Sequence, residues 1–518
     1  MADGSRSSTV TTPAWLRVAM PSVADVIFLA LLGVLLLTPL SVRLLGDAGI
    51  GWHIRTGQQI LVVHGVPQVD SFSSTMAGKP WFAWEWLYDV VVGLLEARLG
   101  LNGVVWLTSA TIALVFAAMF RLLILRRTNL MVALVLTLLA ISASMIHFLA
   151  RPHVVSWLFT LVWFWILDSS ERDCLKGQDR SRWLWALPFL MVVWVNVHGG
   201  FLIGFVLLAV YLLGAGWTWI RTNENRLEEL LQKVSAAKRA RSLAGIGVLS
   251  IAASLINPYG WKLYAHIYSY LSNRFLMDHI EEFQSPNFHG LAQECFLILI
   301  LITVSIVAVR GRDLRMSTAL TVLFAIYAGL YASRNIPVSS ILLVMVVGPM
   351  LPARLTGGFS QRMTAMETGL RGHLWPMVTI VAALLIALNG GRVGSRQWMN
   401  AHFSPRRMPV EAVNYLENNH VEGPVLSPDF WGGYLIYRLY PKTLVVVDDR
   451  HDLYGEEFFM LYLKMMHVER GWENVLDSYK VPCVVLPRDA PLATLLSGTQ
   501  GWKTSYSDEV TIIFVRDH

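Results

Sequence analysis

Apolar residues come in long blocks along this chain. Each block runs for about 16 to 22 residues with almost no charge inside it, the length needed to cross the hydrocarbon core of a bilayer. Residues 26–40, 131–146, 201–220 and 379–388 with their flanks are examples. A core helix of a water-soluble protein would carry an apolar stripe, not an apolar circumference, so the pattern predicts membrane spans. About eleven are expected, near 24–42, 103–123, 130–149, 154–168, 183–197, 201–220, 243–256, 293–309, 317–331, 337–351 and 375–391. Trp86–Leu99 is interrupted by Glu96 and Arg98, which predicts an amphipathic helix in the interface, not a span. The first block follows a polar tail, 1–23, and lacks a small-residue cleavage site, so it is expected to persist as an anchor.

Beyond about residue 392 the pattern changes. Pro409 opens a helix, and 423–427 and 443–447 read as short buried strands with a helix at 431–439 between them. Strands at 481–486 and 511–515 and helices at 456–466 and 491–496 complete the alternation, which predicts a small parallel or mixed sheet over 392–518. The expected fold class is therefore an α-helical polytopic membrane protein with a C-terminal soluble α/β domain. No glycine-rich phosphate loop follows any strand, and Gly432-Gly433 is a dipeptide without the nucleotide fingerprint around it.

Composition agrees: 54% of residues are hydrophobic, only 15% are charged, and the mean hydropathy is +0.49. The net charge of +6 would suit a nucleic-acid binder if it were spread over a soluble surface. Instead the Lys and Arg residues fall between the apolar blocks, about 21 in the segments of one face against about 8 in those of the other, as the positive-inside rule describes. That asymmetry disfavours nucleic acid and orients the chain in the cytoplasmic (inner) membrane. The N-terminus and residues 221–241 are expected inside, the latter as a surface helix on anionic lipid. Residues 43–100 and 392–518 are expected outside. The three cysteines form no disulfide framework and no zinc spacing.

With this orientation the conspicuous polar residues gather at the outer face: Asp47, His53, Arg55, Glu85, Asp89, Arg151, His153, Asn196, His198, Glu281, Glu282 and Arg334. Ionisable groups at membrane depth are costly, so such a cluster marks a candidate site. Asp47 directly follows the first span, where its carboxylate can serve as general base towards an acceptor hydroxyl; a helix cap or a tie to Arg55 is the structural alternative. Glu85 and Asp89, four apart, form a second acidic pair or a solvated face. Arg151 and Arg334 each stand between two outer span ends and offer a fork of donors to a lipid phosphate, or else snorkel to headgroups. His198 lies in a tight turn permitted by Gly199 and Gly200, where bonding to backbone would account for it. No histidine spacing points to a metal. At the end of the expected strand 443–447, Asp449, Arg450, Asp452 and Tyr454 are expected to form a polar face directed at the membrane domain. The alternative is an ion pair of Arg450 with Asp449 or Asp452.

These residues carry a resemblance. Asp47…Trp52-His-Ile-Arg-Thr-Gly…Asp70-Ser-Phe-Ser…Trp84-Glu-Trp-Leu is similar to the first loop of bacterial GT-C-type membrane glycosyltransferases and their uncharacterised relatives. Ala150-Arg-Pro-His, Trp194-Val-Asn-Val-His-Gly-Gly-Phe, Asn257-Pro-Tyr-Gly, Ser333-Arg-Asn-Ile-Pro and Val447-Asp-Asp-Arg-His-Asp-Leu-Tyr-Gly extend it over nearly the whole chain. The resemblance implies transfer of a sugar from an outer-leaflet polyprenyl-phosphate donor to an extracytoplasmic glycan, lipid or protein acceptor. It implies Asp47 as the catalytic acid residue of the first loop. Metal-using members commonly carry Asp-x-Asp or Glu-x-Asp; Asp47-Ala48-Gly49 departs from this, which disfavours a divalent metal and leaves no cofactor. A metal-free inverting displacement follows, with Asp47 deprotonating the acceptor and Arg151 or Arg334 stabilising the leaving phosphate. Two other readings stand beside it. A lipid or glycan transporter would place charges near mid-membrane, whereas this chain keeps them at one face. A catalytically silent scaffold would use the soluble domain to dock glycan-assembly partners.

Overall fold

The computed structural model describes residues 14–176, 181–223, 226–311, 314–351, 358–370, 373–419 and 423–517. Residues 1–13 of the tail expected in the cytoplasm lie outside the described residues, as does 352–357 of an expected inner loop.

Every expected span coincides with helix, but fewer helices than eleven have the dimensions of a span. Among the described residues seven are long and apolar enough: Arg17–Leu37, Leu101–Leu125, Leu130–His147, His153–Leu175, Gly199–Arg221, Leu291–Arg310 and Ser333–Met350. The pair Gly358–Gly369 and Leu374–Leu388, meeting at 64°, makes an eighth if taken together. Arg182–Val195 and Met316–Tyr331 are apolar but short. The span expected at 243–256 is the apolar half of one continuous helix, Leu227–Ser254, which also takes in most of the expected surface helix. Leu, Glu, Gln, Lys, Ala and Arg dominate its first half and no glycine or proline stops it before Gly245, so the two elements fuse.

The first span shows how the chain reaches the site. Ser22 Oγ accepts from the Asp25 N–H at 3.1 Å and Asp25 Oδ2 from the Ser22 N–H at 2.8 Å, a capping box that starts the helix. The helix stops at Leu37 because Pro39 disfavours helical backbone in the residue before it. One turn, Leu40–Leu44, then delivers Asp47. Outer helix faces are apolar: on Leu291–Arg310, Leu301, Val304 and Val309 point away from the protein, Val309 with 85% of its surface free. Apolar surface of this extent is stable only against hydrocarbon. The chain is a multi-pass membrane protein.

In the C-terminal part the strand Val425–Leu426 pairs in parallel with Cys483–Pro487, which pairs antiparallel with Thr511–Arg516, and that in turn with Trp502–Ser507. The sheet is mixed. The polar strand Trp502–Ser507 and the helix Trp472–Ser478 carry too little apolar periodicity to have been read from sequence. The segment expected as a strand at 443–447 instead makes single bridges, Val445 pairing with Val425 on one side and with Ser73 of the first outer loop on the other. The Ser74 N–H donates to Val445 O at 2.8 Å and the Val445 N–H to Phe72 O at 3.2 Å. The first loop is thus stitched to the edge of the C-terminal domain by backbone bonds.

Arg450 locks that seam. Its Nη1 lies 2.7 Å from Asp70 Oδ1, its Nη2 2.7 Å from Asp448 Oδ2, and its Nε donates to Asp448 Oδ1 at 2.8 Å. The guanidinium lies over the Trp81 ring at 4.6 Å, and Tyr454 donates to Asp448 Oδ2 at 2.8 Å. This corrects the expected polar face: Arg450 and Tyr454 are buried in the joint and pair with Asp448 and Asp70, not with Asp449 or Asp452. Removing one partner of a buried pair strands the other charge, a loss of about 3–5 kcal/mol. Arg450→Met is therefore expected to lower the apparent unfolding temperature far more than Arg334→Ala, which removes a half-exposed pair. Equal shifts in a thermal scan would contradict the clamp.

Candidate active site

Two glycines set the geometry of the first loop. The helices Ile50–Val63 and Trp86–Leu99 cross backbone to backbone at Gly57 and Gly93, where a Cβ on Gly57 would collide with the Asp89 carbonyl. That crossing brings His53 Nδ1 to 2.6 Å from Asp89 Oδ1. Gly433 does the same for the C-terminal helix Asp429–Leu439, whose backbone there lies against Ala48 and Gly49, while Gly432 lies against Val447 and Asp448. The dipeptide is a contact surface, consistent with the lack of a nucleotide fingerprint.

At this contact three chain segments meet on one side chain. Arg151 Nη2 is 2.8 Å from Asp47 Oδ1 and also pairs with Asp449 Oδ2. Asp47 Oδ1 accepts from the Gly49 N–H at 2.8 Å, and Trp52 Nε1 donates to Asp449 Oδ1 at 3.0 Å. A Cβ at position 49 would strike both Arg151 Nη2 and Asp449 Oδ2, so the glycine makes room for the pair. Burial, reinforced by Asp47 and countered by Arg151, raises the Asp449 carboxyl above its ordinary range. Asp47 remains about a quarter exposed, the most open of the three.

Next to this triad lies a buried relay. The Trp52 ring stacks on His53 with centroids 3.6 Å apart. His53 Nε2 and His198 Nε2 stand 3.8 and 3.7 Å from the two oxygens of Glu85. Each imidazole is fixed through Nδ1, by Asp89 for His53 and by Ser156 Oγ at 2.8 Å for His198. Ser156 in turn accepts from Trp194 Nε1 at 2.8 Å. Burial pushes the Glu85 carboxyl up to about 8, outweighing Arg151 and Arg334, while burial holds His53 and His198 neutral.

Arg334 forms the third group, 3.2 Å from Glu282 and over the Phe283 ring. Burial opposes ionisation of Glu282, but Arg334 and Arg151 outweigh it and hold that carboxyl down at about 2. His153 Nε2 meets the His147 carbonyl at 2.9 Å beside this pair.

The structure therefore gathers Asp47, His53, Glu85, Asp89, Arg151, His198, Glu282, Arg334 and Asp449 into neighbouring groups. It turns others elsewhere. Arg55 donates through Nε to the Tyr437 carbonyl at 2.8 Å and is a tie to the C-terminal helix, not to Asp47. Glu281 is exposed, with no ion pair among the described residues. Asp452 lies 3.0 Å from His266 Nε2 on the helix Lys262–Ser272, which is not among the candidate spans. Trp52, Ser156 and His266 take part without having been singled out. Trp52 alone had a signal, its place inside the loop motif beside His53.

No family model matches the chain, and no curated protein sequence does. Solved structures do. An oligosaccharyltransferase of Archaeoglobus fulgidus, AglB, in complex with an inhibitory peptide and a dolichol-phosphate, aligns over 96% of this chain and 73% of its own, with TM-score 0.56 and 11% identity. A structure of an oligosaccharyltransferase of the same organism with zinc and sulfate aligns over 95% and 72%, with TM-score 0.50 and 11% identity. ArnT of Cupriavidus metallidurans bound to undecaprenyl phosphate aligns over 95% and 96%, with TM-score 0.46 and 13% identity. The chain has the GT-C fold.

Within this GT-C fold a divalent cation does not fit between the two first-loop carboxylates of the metal-using pattern. Gly49 stands where the second would be, the Asp449 carboxylate takes its space, and Arg151 already lies against both Asp47 and Asp449. Among the described residues no group of three His, Cys, Asp or Glu side chains is arranged to hold a metal ion.

The relay makes a pH prediction. Glu85 has a carboxyl raised from 4.5 to about 8, so folding takes up a proton between those values. Its contribution to stability is full below the lower value, declines as pH rises through the window, and levels off above it. Glu85→Gln should abolish this decline. Apparent unfolding temperatures at pH 5 and 8.5 should then differ less for the variant than for the wild type, and equal differences would contradict the assignment.

Proposed function

We propose that this chain is a membrane glycosyltransferase. It takes a sugar from a polyprenyl phosphate in the outer leaflet of the cytoplasmic membrane and passes it to an extracytoplasmic glycan, lipid or protein. One observation carries the reading: a carboxylate about a quarter exposed, Asp47, is held by an arginine that a second carboxylate fixes from the C-terminal domain. The archaeal neighbour holding a dolichol-phosphate supports a lipid-phosphate donor. The basic asymmetry of the loops supports an outward-facing site.

In the proposed step the acceptor oxygen attacks the anomeric carbon, its proton passes to Asp47, and the bond from that carbon to the donor phosphate breaks. Configuration inverts, and the polyprenyl phosphate departs as an anion. Arg151 orients Asp47 and is itself oriented by Asp449, so the base needs no reorganisation when charge moves. Arg334 is half exposed and, among the described residues, forms an ion pair with Glu282 alone, which leaves guanidinium donors for the departing phosphate.

The ion pairs that Arg151 makes with both Asp47 and Asp449 favour one alternative, a catalytically silent scaffold in which the triad only joins the domains. Asp47→Asn separates the two. Membranes containing the chain and supplied with radiolabelled polyprenyl-phosphate sugars should transfer label to acceptor, and the variant should do so at least about 100-fold more slowly. Undiminished transfer by the variant at equal protein level would overturn Asp47 as the base, and equal transfer by membranes lacking the chain would overturn the enzyme.

A further inference from the structure

A second charged site lies at the opposite end of the bundle. On the helix His153–Leu175 it begins at Asp168 and reaches Arg172, roughly 25 Å along the axis from His153 at about 1.5 Å per residue. There Arg126, Arg172, Arg310 and Arg315 line a cavity of about 260 Å³ in which, among the described residues, Asp168 is the one acidic side chain. Arg126, Arg172 and Arg315 approach Asp168 at 2.7, 2.9 and 3.0 Å. Arg315 also reaches Glu171 at 2.7 Å, but Glu171 is shared with Arg239 at 3.0 Å. Neither carboxylate has capacity left for Arg310, which makes no ion pair among the described residues. The Nε of Arg126 is buried without an acceptor there.

The Arg126 side chain is buried, while those of Arg172, Arg310 and Arg315 are partly exposed, so the mouth of the cavity carries a surplus of guanidinium charge that an anion would neutralise. Planar guanidinium forks match a phosphate group better than a halide or a lone carboxylate. The cavity is walled on one side by Met345, Val346 and Phe164, an apolar surface continuous with the bundle. We propose that this cavity is a phosphate-binding site. The chemistry is shared by the headgroup of an anionic lipid in the leaflet opposite the Asp47 site and by a small soluble phosphate. The site is separate from the transfer chemistry and stands whether or not that reading holds.

Arg310→Glu and Arg172→Gln test it, because both residues are partly exposed and neither change strands a fully buried charge. The full chain is reconstituted in bilayers of equal phosphatidylglycerol and phosphatidylcholine and released for native mass spectrometry. Wild type should retain phosphatidylglycerol preferentially, and Arg310→Glu should cut that retention about fivefold or more, roughly the contribution of one basic residue near an anionic surface. In a second arm, millimolar inorganic phosphate is added to detergent-solubilised chain. A rise in unfolding temperature in wild type that Arg310→Glu loses would identify the soluble anion instead. The control Arg438→Glu, in the C-terminal domain, should change neither readout. The proposal is overturned if wild type shows neither lipid preference nor stabilisation by phosphate, or if both persist in Arg310→Glu and Arg172→Gln.

Discussion

Two adjacent carboxylates decide how this molecule holds together. Asp448 and Asp449 follow one another where the chain bends, and their side chains reach different partners. Asp448 turns inward to Arg450, which also takes Asp70 of the first outer loop. Asp449 turns to Arg151 at the end of a membrane helix, which also takes Asp47. A dipeptide thus anchors the C-terminal domain both to the first loop and to the bundle. The candidate site exists only because both anchors are made, and the glycines at 49, 51, 432 and 433 allow backbones to come close enough for them.

The arrangement also explains a sequence departure. Where the Asp-x-Asp pattern would put a second carboxylate two residues after Asp47 this chain has Gly49, and the carboxylate beside it comes from Asp449, about 400 residues downstream. Position 49 cannot hold a side chain while Arg151 and Asp449 meet beside it. The positive charge that such a pair of carboxylates needs is supplied by the chain itself.

Much of this was legible beforehand. Uninterrupted apolar blocks located the helices, since only helices satisfy their backbone within lipid. The outer loop motifs named Asp47, Arg151, Glu85 and His198 before any geometry. Two things were not legible. Span count depends on length and on where helices stop, and the sequence of 227–254 contains no stop that separates its polar from its apolar half. The fate of Arg450 was also hidden, because its partner Asp70 is distant in sequence and nothing in the run Asp448-Asp449-Arg450 says which carboxylate it chooses.

The central claim is that Asp47 and Asp449 act as one unit through Arg151. A double-mutant cycle on the transfer rate tests it most directly, comparing Asp47→Asn, Asp449→Asn and the two combined. Residues acting as a unit are grossly non-additive, so the combined variant should be no more than about twofold slower than the slower single one. Multiplying losses would mean that the two carboxylates work independently and that the account is wrong.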